Sequence, residues 1–326
     1  MVIMSKRIFI TGINGQDGSY LAEYMLELGH EVHGLIRRNS VEADQSKRLS
    51  YLGDKLHLYY GNMLDGYSLE RALEKAQPDY VFHLAAQSQV RVSFDIPEYT
   101  IDVNGTGTLR LLNACRRICP KAHIYNASSS EIFGASVDAD GFQRETTTIS
   151  PISPYGVGKV MAHNLIMHYR RAYGMYTANG ILFNHESPRG SVDFVTRKII
   201  KGAVAIHRGQ QDKLELGNLD SFRDWGHSKD YVKAMWLIVN HVQPMEFVIA
   251  SGKAYSVREL CKFVFAHFKL NYEDYVVQNP QFMRPEEVPY LKGNATKART
   301  ILGWEPTYTF ESLLEEMIEA RMKEND

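Results

Sequence analysis

The sequence predicts an α/β fold, a doubly wound parallel β-sheet followed by a smaller C-terminal α/β region. Two observations carry this prediction. The first half of the chain alternates short apolar segments with amphipathic segments of helical period. A glycine-rich turn also separates the first apolar segment from the helix that follows it. The sheet is expected to be parallel because parallel strands are buried on both faces and form continuous apolar runs in the sequence.

The alternation begins near the N-terminus and continues to about residue 183. Apolar runs predict six buried strands, at residues 7–11, 31–36, 56–60, 80–85, 123–127 and 177–183. The segments between them predict helices at residues 19–28, 68–75, 103–118 and 155–173.

The pattern becomes less regular after residue 184. It predicts a short strand at 247–250 and helices at 195–207, 229–240 and 257–268. Thr309 is a candidate N-cap for a last helix whose apolar side carries Leu313, Leu314, Met317 and Ile318. We therefore expect a Rossmann-type cofactor-binding domain at residues 1–183. Residues 184–326 are expected to be mainly substrate-binding, to cover the carboxyl edge of the sheet, and to return some chain to the first domain.

Composition and charge disfavour several classes of protein. The 326 residues carry a net charge of -1 and are 44% hydrophobic and 23% charged, which is typical of a globular protein without bulk affinity for nucleic acid. No apolar run approaches bilayer length and no signal peptide is recognisable, so a cytoplasmic protein without membrane association is expected. Three cysteines without metal-ligand spacing predict neither a disulfide framework nor a metal site.

A dinucleotide site is predicted where the first strand meets the first helix. Gly12, Gly15 and Gly18 follow one another at intervals of three residues. The missing Cβ atoms allow a tight turn and a close approach of the backbone to a pyrophosphate at the helix N-terminus. The predicted cofactor site also includes the other residues of this turn, Asn14, Gln16 and Asp17.

The end of the second strand indicates NADP as the cofactor. Arg37 and Arg38 stand where an acidic residue would bind the ribose of NAD, and two guanidinium groups suit a 2′-phosphate. The alternative is an exposed basic pair. Further cofactor contacts are expected after the third and fourth strands, where the alternative is ordinary packing, at Asn62, Met63, Leu84, Ala86 and Ser88.

Four residues form the predicted catalytic set. Tyr155 and Lys159 are four residues apart and share one helical face. An ammonium group beside a phenol favours the phenolate, so this pair is predicted to supply a base near neutral pH. Ser129 and Glu131 follow the fifth strand, beside the expected nicotinamide. For Glu131, spacing alone leaves a cap or a surface carboxylate equally open.

These motifs resemble those of the extended short-chain dehydrogenase/reductase superfamily, and more closely the GDP-mannose 4,6-dehydratase family. In that family a Thr or Ser, a Glu two residues later, a Tyr and a Lys are catalytic, matching Ser129, Glu131, Tyr155 and Lys159. The resemblance covers nearly the whole chain and is carried by TGINGQDGSYLAEYMLELGHEVHGLIRR, HLAAQSQVRVSFDIPEYT, ASSSEIFG, SPYGVGK, GILFNHESPRG, FVTRKI, LGNLDSFRDWGHSKDYVKAMW and RPEEV.

The resemblance implies a lyase that dehydrates GDP-mannose with NADP and without net oxidation. Tyr155 would remove the proton from O4 of the sugar while the C4 hydride passes to NADP. Glu131 would take the C5 proton and protonate the departing C6 hydroxyl. Return of the hydride to C6 would give GDP-4-keto-6-deoxy-mannose.

The resemblance also implies a substrate site and an assembly. The positive charges of the substrate site suit a diphosphate. The family forms homo-oligomers, so a dimer or tetramer is expected, in which residues 39–52 reach the cofactor site of a neighbouring subunit. The implied substrate-binding residues are Ser88, Asn184, Glu186, Val195, Lys198, Arg223, Arg284 and Glu287.

Departures from the family pattern keep other reactions open. Arg189 stands alone where the family commonly has two consecutive arginines, so the same dehydration of a GDP-manno-heptose is an alternative. A nucleotide-sugar epimerase or reductase would share Tyr155 and Lys159 but would not need Glu131. The intact catalytic set disfavours an NADP-binding regulator without activity.

Overall fold

A parallel sheet of seven strands forms the centre of the molecule in the computed structural model, which describes residues 4–38 and 47–324. Its strands are β1 (Arg7–Thr11), β2 (Glu31–Ile36), β3 (Leu56–Tyr60), β4 (Tyr80–His83), β5 (His123–Ser129), β6 (Thr177–Leu182) and β10 (Glu246–Ile249). Their order across the sheet is β10-β6-β5-β4-β1-β2-β3, and every neighbouring pair is parallel. The predicted doubly wound α/β fold is confirmed.

Helices cover both faces of this sheet, as the alternation of strand side chains requires. Ile8 and Ile10 of β1 face one layer and Phe9 faces the other. The first layer contains α1 (Gln16–Glu27) and α8 (Ser228–Val239). The second contains α2 (Gly66–Ala76), α5 (Gly107–Ile118) and α6 (Pro154–Tyr173), while α3 (Val90–Ser93) and α4 (Pro97–Ile101) are short helices between β4 and α5.

The predicted strands and helices are confirmed, with shifts at their ends that have identifiable causes. The prediction that all six strands are buried is wrong for β3, which is the last strand of the sheet and exposes Leu58 and Tyr60. β4 ends at His83 rather than at residue 85 because the Thr11 hydroxyl accepts hydrogen bonds from the next two backbone amides, at 3.2 Å each. The helix predicted at 103–118 begins at Gly107, since Asp102–Thr106 form one wider π-helical turn.

The other strands and helices that follow β6 in the chain form a smaller unit. One small sheet has the order β11 (Ala254–Ser256), β9 (Phe222–His227), β7 (Asn184–Glu186), and another pairs β12 (Val276–Gln278) with β8 (Leu214–Leu216). They pack with α7 (Val195–His207), α9 (Val257–His267) and α10 (Phe310–Lys323) around a separate apolar core. Thr309 caps α10, accepting from the Ser312 amide at 3.2 Å, and its four predicted apolar residues are buried.

Two elements from the second half of the chain lie in the large sheet's layers. The strand predicted at 247–250 is β10, which pairs with β6 at the edge of the sheet. Helix α8 packs against α1. None of the helices within residues 4–38 and 47–324 has the length and apolarity to cross a membrane.

Candidate active site

The glycine turn between β1 and α1 lies directly against the chain that leaves β4. Gly12 has a φ of +71°, and a Cβ atom there would lie 2.9 Å from the backbone nitrogen of Ala85. A Cβ atom on Gly18 would lie 2.3 Å from the carbonyl oxygen of Gly12. The turn therefore excludes side chains where a pyrophosphate would approach the N-terminus of α1.

The side chains of Gln16 and Asp17 bind protein groups on and after β7. The Asp17 carboxylate lies 2.6 Å from Nε2 of His185, while Gln16 donates to the carbonyl oxygen of His185 at 3.0 Å. Ser187 in turn donates to Oε1 of Gln16 at 2.8 Å. A cofactor contact predicted for these two residues therefore rests on their backbone amides at the helix start. In the same turn, the carbonyl oxygen of Asn14 accepts from Arg48 at 3.3 Å.

The residues predicted to surround the adenosine half of the cofactor lie at the carboxyl ends of the adjacent strands β2 and β3. Arg37 and Arg38 are both exposed, and Arg37 donates to the Tyr99 hydroxyl at 2.6 Å. Asn62 accepts from the amide two residues later at 3.1 Å, which closes the turn after β3. Met63 is buried.

The end of β4 is held by a chain of buried polar groups that sequence analysis missed. Thr11 Oγ1 lies 2.8 Å from Nδ1 of His83, whose Nε2 lies 3.0 Å from the Thr108 hydroxyl. Burial, and secondarily the charge of Lys159, lowers the pKa of His83 to about 3. In the sequence, the only sign of this chain is that one polar residue, Thr11 or His83, stands within each of two apolar runs. Of the predicted contacts beyond this strand, Leu84 and Ala86 are half-buried and Ser88 is exposed.

The four predicted catalytic residues meet at the carboxyl end of β5. Ser129 ends the strand, and its hydroxyl accepts from the backbone amide of Glu131 at 3.2 Å. Tyr155 and Lys159 occupy the first turns of α6, which Ser153 caps by accepting from the amide three residues later at 3.0 Å. Ser153 before Pro154 is an N-cap signature that the sequence analysis did not use.

Burial governs the electrostatics of the tyrosine and the lysine. Lys159 donates to the carbonyl oxygen of Ala127 at 2.8 Å, and its Nζ lies 5.7 Å from the centre of the Tyr155 ring. Desolvation raises the pKa of Tyr155, outweighing a hydrogen bond with Ser129 that lowers it. Burial also lowers the pKa of Lys159 to about 8. Desolvation of the phenol therefore opposes the phenolate, and the proposal that this pair supplies a base near neutral pH stays a prediction.

The residues predicted to bind the diphosphate form an ionic cluster with Glu131. Arg223 is buried on β9 and donates to Glu287 at 2.6 Å and to the carbonyl oxygen of Val288 at 2.8 Å. Arg284 lies 3.1 Å from the same Glu287 carboxylate oxygen and 3.4 Å from Oε1 of Glu131. Two guanidinium groups and two carboxylates thus meet beside the catalytic set.

The remaining predicted substrate residues lie on β7 and at the start of α7. Within the described ranges, Oδ1 of Asn184 is buried without a hydrogen-bond partner. Burial raises the pKa of Glu186 to about 7, although the neighbouring Thr196 hydroxyl lowers it in part. Val195 begins α7, and Lys198 follows one turn later, its ammonium 3.5 Å from the centre of the Phe282 ring. Because buried polar groups are normally paired, the unpaired oxygen of Asn184 indicates a ligand site.

Comparison with known proteins gives one consistent family. The model of the GDP-mannose 4,6 dehydratase family matches residues 9–317. Similar proteins include GDP-mannose 4,6 dehydratase 2 of Caenorhabditis elegans, at 45% identity over 96% of this chain and 88% of the relative. The human GDP-mannose 4,6 dehydratase is 42% identical over 95% of this chain and 90% of its own. The Vibrio cholerae enzyme of the same name is 42% identical over 98% and 95%.

Solved structures show the same fold with lower identity. UDP-glucose 4-epimerase of Thermotoga maritima, solved with UDP-glucose, has a TM-score of 0.85 and 26% identity, covering 97% of this chain and 98% of that one. MoeE5, solved with UDP-glucuronic acid and NAD, has a TM-score of 0.82 and 25% identity, covering 97% and 99%.

Proposed function

The chain belongs to the GDP-mannose 4,6-dehydratase family, and from this premise we propose that it converts GDP-mannose to GDP-4-keto-6-deoxy-mannose with NADP as hydride carrier. One observation supports the proposal most. The hydroxyl, carboxyl, phenol and ammonium groups of Ser129, Glu131, Tyr155 and Lys159 meet at the end of β5. The carboxyl group is what an epimerase or a simple dehydrogenase would not need.

A nicotinamide dinucleotide suits the residues present. The turn at Gly12 and Gly18 leaves no room for side chains, as close approach of a pyrophosphate demands. Arg37 and Arg38 favour NADP over NAD because exposed guanidinium groups at the end of β2 suit a 2′-phosphate. When bound, NADP supplies the hydride acceptor for C4 and later the hydride donor for C6. Its oxidised ring also carries a positive charge, which favours the phenolate of Tyr155.

Tyr155 and its neighbours move the proton of the O4 hydroxyl. The phenolate takes this proton as C4 is oxidised to a ketone, and the hydrogen bond from Ser129 stabilises the phenolate. Lys159, held by the carbonyl oxygen of Ala127, places a donor beside the ring. The desolvation that raises the pKa of the phenol also makes the phenolate, once formed, a strong base.

Glu131 carries out the elimination that defines a dehydratase. The C4 ketone acidifies the C5 proton, which Glu131 takes as general base. The same carboxyl group then protonates the C6 hydroxyl, which leaves as water. As the hydride returns to C6, the proton that Tyr155 took from O4 returns to C5, so that one water is lost and both residues regain their starting state. Glu131 is 7% exposed, so bulk water has little access to the proton that it holds between these two steps.

The substrate is held by groups on both sides of the catalytic set. Arg223 and Arg284 supply positive charge for the diphosphate, and Glu287 accepts from ribose hydroxyls. Asn184 offers its buried, unpaired oxygen to a sugar hydroxyl, and the Glu186 carboxyl lies on the same face of β7. Ser88, Val195 and Lys198 complete the proposed site.

We further propose that the protein acts in the cytoplasm as a homo-oligomer, a dimer or a tetramer. In the family, residues 39–52 reach the cofactor site of a neighbouring subunit. Residues 39–46 of that segment lie outside the described residues. The proposed division into a cofactor-binding domain, 1–183, and a mainly substrate-binding region, 184–326, follows the positions of these two sites.

Mass spectrometry of the products tests the proposed reaction. Purified protein is incubated with GDP-mannose or with GDP-manno-heptose and trace NADP. Loss of one water from GDP-mannose without stoichiometric NADPH is the expected result. Loss of water from GDP-manno-heptose alone would mean that this nucleotide sugar, and not GDP-mannose, is the substrate. A loss from neither, with binding intact, would favour epimerase or reductase chemistry.

A further inference from the structure

Strand β7 has two faces with different partners. Successive side chains of a strand point to opposite sides, so His185 faces away from Asn184 and Glu186. The flanking residues are the two proposed above to bind the sugar, and Oδ1 of Asn184 is buried without a hydrogen-bond partner among the described residues. His185 instead contacts the first turn of α1, which forms the predicted pyrophosphate site. Three consecutive residues therefore connect the two proposed binding sites.

The link to α1 consists of three polar contacts. Asp17 Oδ2 lies 2.6 Å from His185 Nε2, and these side chains are only 19% and 16% exposed. The Gln16 amide donates to the backbone of His185 at 3.0 Å and accepts from Ser187 at 2.8 Å. If β7 moves, the first turn of α1 therefore moves with it, or these hydrogen bonds break and their groups bind water instead.

The imidazole of His185 is fixed from its other sides. Nδ1 donates to the carbonyl oxygen of Phe183 at 2.7 Å, and the ring stacks on Tyr231 with 4.5 Å between ring centres. Tyr231 fits there because the β9 residue opposite His185 is Gly226, where a Cβ atom would lie 2.5 Å from the tyrosine ring. Burial lowers the pKa of His185, but the charge and hydrogen bond of Asp17 outweigh it and raise the pKa overall. With both nitrogens donating, the ring is an imidazolium and the contact is an ion pair.

We propose that Asp17 and His185 are positioning residues that couple the cofactor turn to the sugar-binding face of β7, so that NADP and the GDP-sugar bind cooperatively. A pyrophosphate at the N-terminus of α1 fixes the turn that carries Asp17. A sugar on Asn184 and Glu186 fixes the strand that carries His185. The first ligand orders a junction that the second also needs, so the second binds more tightly. By linkage, each ligand raises the affinity for the other by the same factor.

The molecule contains a matched control pair between the same two segments. Arg189, just after β7, binds Glu23 of α1 with 2.9 Å between Nη2 and Oε2, and its guanidinium lies 3.8 Å from the centre of the Tyr20 ring. Glu23 lies almost two turns beyond Asp17 and contacts neither glycine turn nor sugar-binding face. Glu23→Gln therefore removes an ion pair between α1 and this part of the chain without touching the proposed link.

The inference rests on the proposed function, and calorimetry without turnover separates the two. The dissociation constant of GDP-mannose is measured on cofactor-stripped protein and on protein saturated with NADPH, which cannot oxidise the substrate. We expect NADPH to tighten GDP-mannose binding by about fivefold or more in the wild type. In His185→Phe, which keeps a stacking ring but loses both side-chain hydrogen bonds, this ratio falls to less than half of the wild-type ratio, because the two contacts of Gln16 remain. Glu23→Gln keeps the wild-type ratio.

Asp17→Asn provides a second variant if His185→Phe does not fold, because asparagine preserves size and removes the charge. Its ratio is expected to fall to less than half of the wild-type ratio. Equal affinities with and without NADPH in the wild type, or an unchanged ratio in both Asp17 and His185 variants, would overturn the inference. Loss of coupling in Glu23→Gln as well would overturn the assignment to this pair. A wild type that shows coupling but forms no dehydrated product would instead refute the proposed reaction and leave the coupling standing.

Discussion

The guanidinium of Arg284 and the carboxylate of Glu131 form an ion pair, with 3.4 Å between Nη1 and Oε1. The same guanidinium also binds Oε1 of Glu287, the oxygen that Arg223 binds. The cluster is therefore neutral as a whole, although its arginines are the proposed ligands of a diphosphate. If Arg284 binds the diphosphate as proposed, the diphosphate competes with Glu131 for it, and its binding would release the carboxylate that is proposed to carry out the elimination.

This competition predicts opposite effects of two substitutions on GDP binding. Glu131→Gln removes a charge that competes for Arg284, so GDP should bind about twofold to tenfold more tightly. Arg284→Met should weaken GDP binding by about tenfold or more because a charge-assisted hydrogen bond is lost. Calorimetric titration with GDP measures both. Glu286→Gln, an exposed carboxylate next to Glu287, is the control and should leave the affinity unchanged. Weaker GDP binding in Glu131→Gln would refute the competition.

The role of Glu131 in catalysis gives a second prediction. Glu131→Gln should lower the rate of water loss by about 10²-fold to 10⁴-fold, the usual contribution of a general acid or base. The affinity for NADP should stay the same, because Glu131 lies in the turn after β5 and not at the glycine turn. Mass spectrometry follows water loss, and NADPH fluorescence follows cofactor binding. Dehydration at the wild-type rate would show that another group takes the C5 proton.

Local patterns were sufficient to assign six of the seven strands to the large sheet and to predict the edge at which the candidate catalytic residues lie. Strands β1, β2 and β3 have the predicted bounds, although His57 interrupts the apolar residues of β3 and no residue of that strand is buried. Ser129 and Tyr155 could be brought together because strand ends and helix starts share the carboxyl edge of a parallel sheet.

Contacts between distant parts of the chain could not be predicted in this way. Asp17 and His185 are separated by 168 residues, and Glu131 and Arg284 by 153. No period or spacing encodes such pairs. The desolvation that raises the pKa of Tyr155 could not be predicted for a related reason, since it depends on the packing of the whole site.

The assignment of NADP depends on the two arginines after β2. Replacing Arg37 and Arg38 together by alanine should weaken NADP binding by about tenfold or more and change NAD binding much less, because only NADP has the 2′-phosphate. Fluorescence titration with NADPH and NADH measures both affinities. Arg71→Ala, on α2, removes an equivalent positive charge that lies over the Tyr67 ring, and serves as control. Equal weakening for both dinucleotides would contradict the 2′-phosphate contact.

Burial of Lys159 predicts a specific pH dependence of stability. Its pKa falls from 10.5 to about 8 on folding. Between these two values the unfolded chain binds a proton that the folded chain does not, so the free energy of unfolding rises with pH. The slope approaches about 1.4 kcal/mol per pH unit, the free energy of one pKa unit. Lys159→Met lacks this group and should lose that part of the pH dependence. Denaturant unfolding of both proteins between pH 8 and 10.5 measures the difference.

The control is Lys262→Met, which removes an exposed lysine of α9 and should keep the wild-type pH dependence of the free energy of unfolding. If the free energies of unfolding of the wild type and of Lys159→Met change in parallel over this pH range, Lys159 does not titrate there. Burial would then not lower the pKa of this lysine.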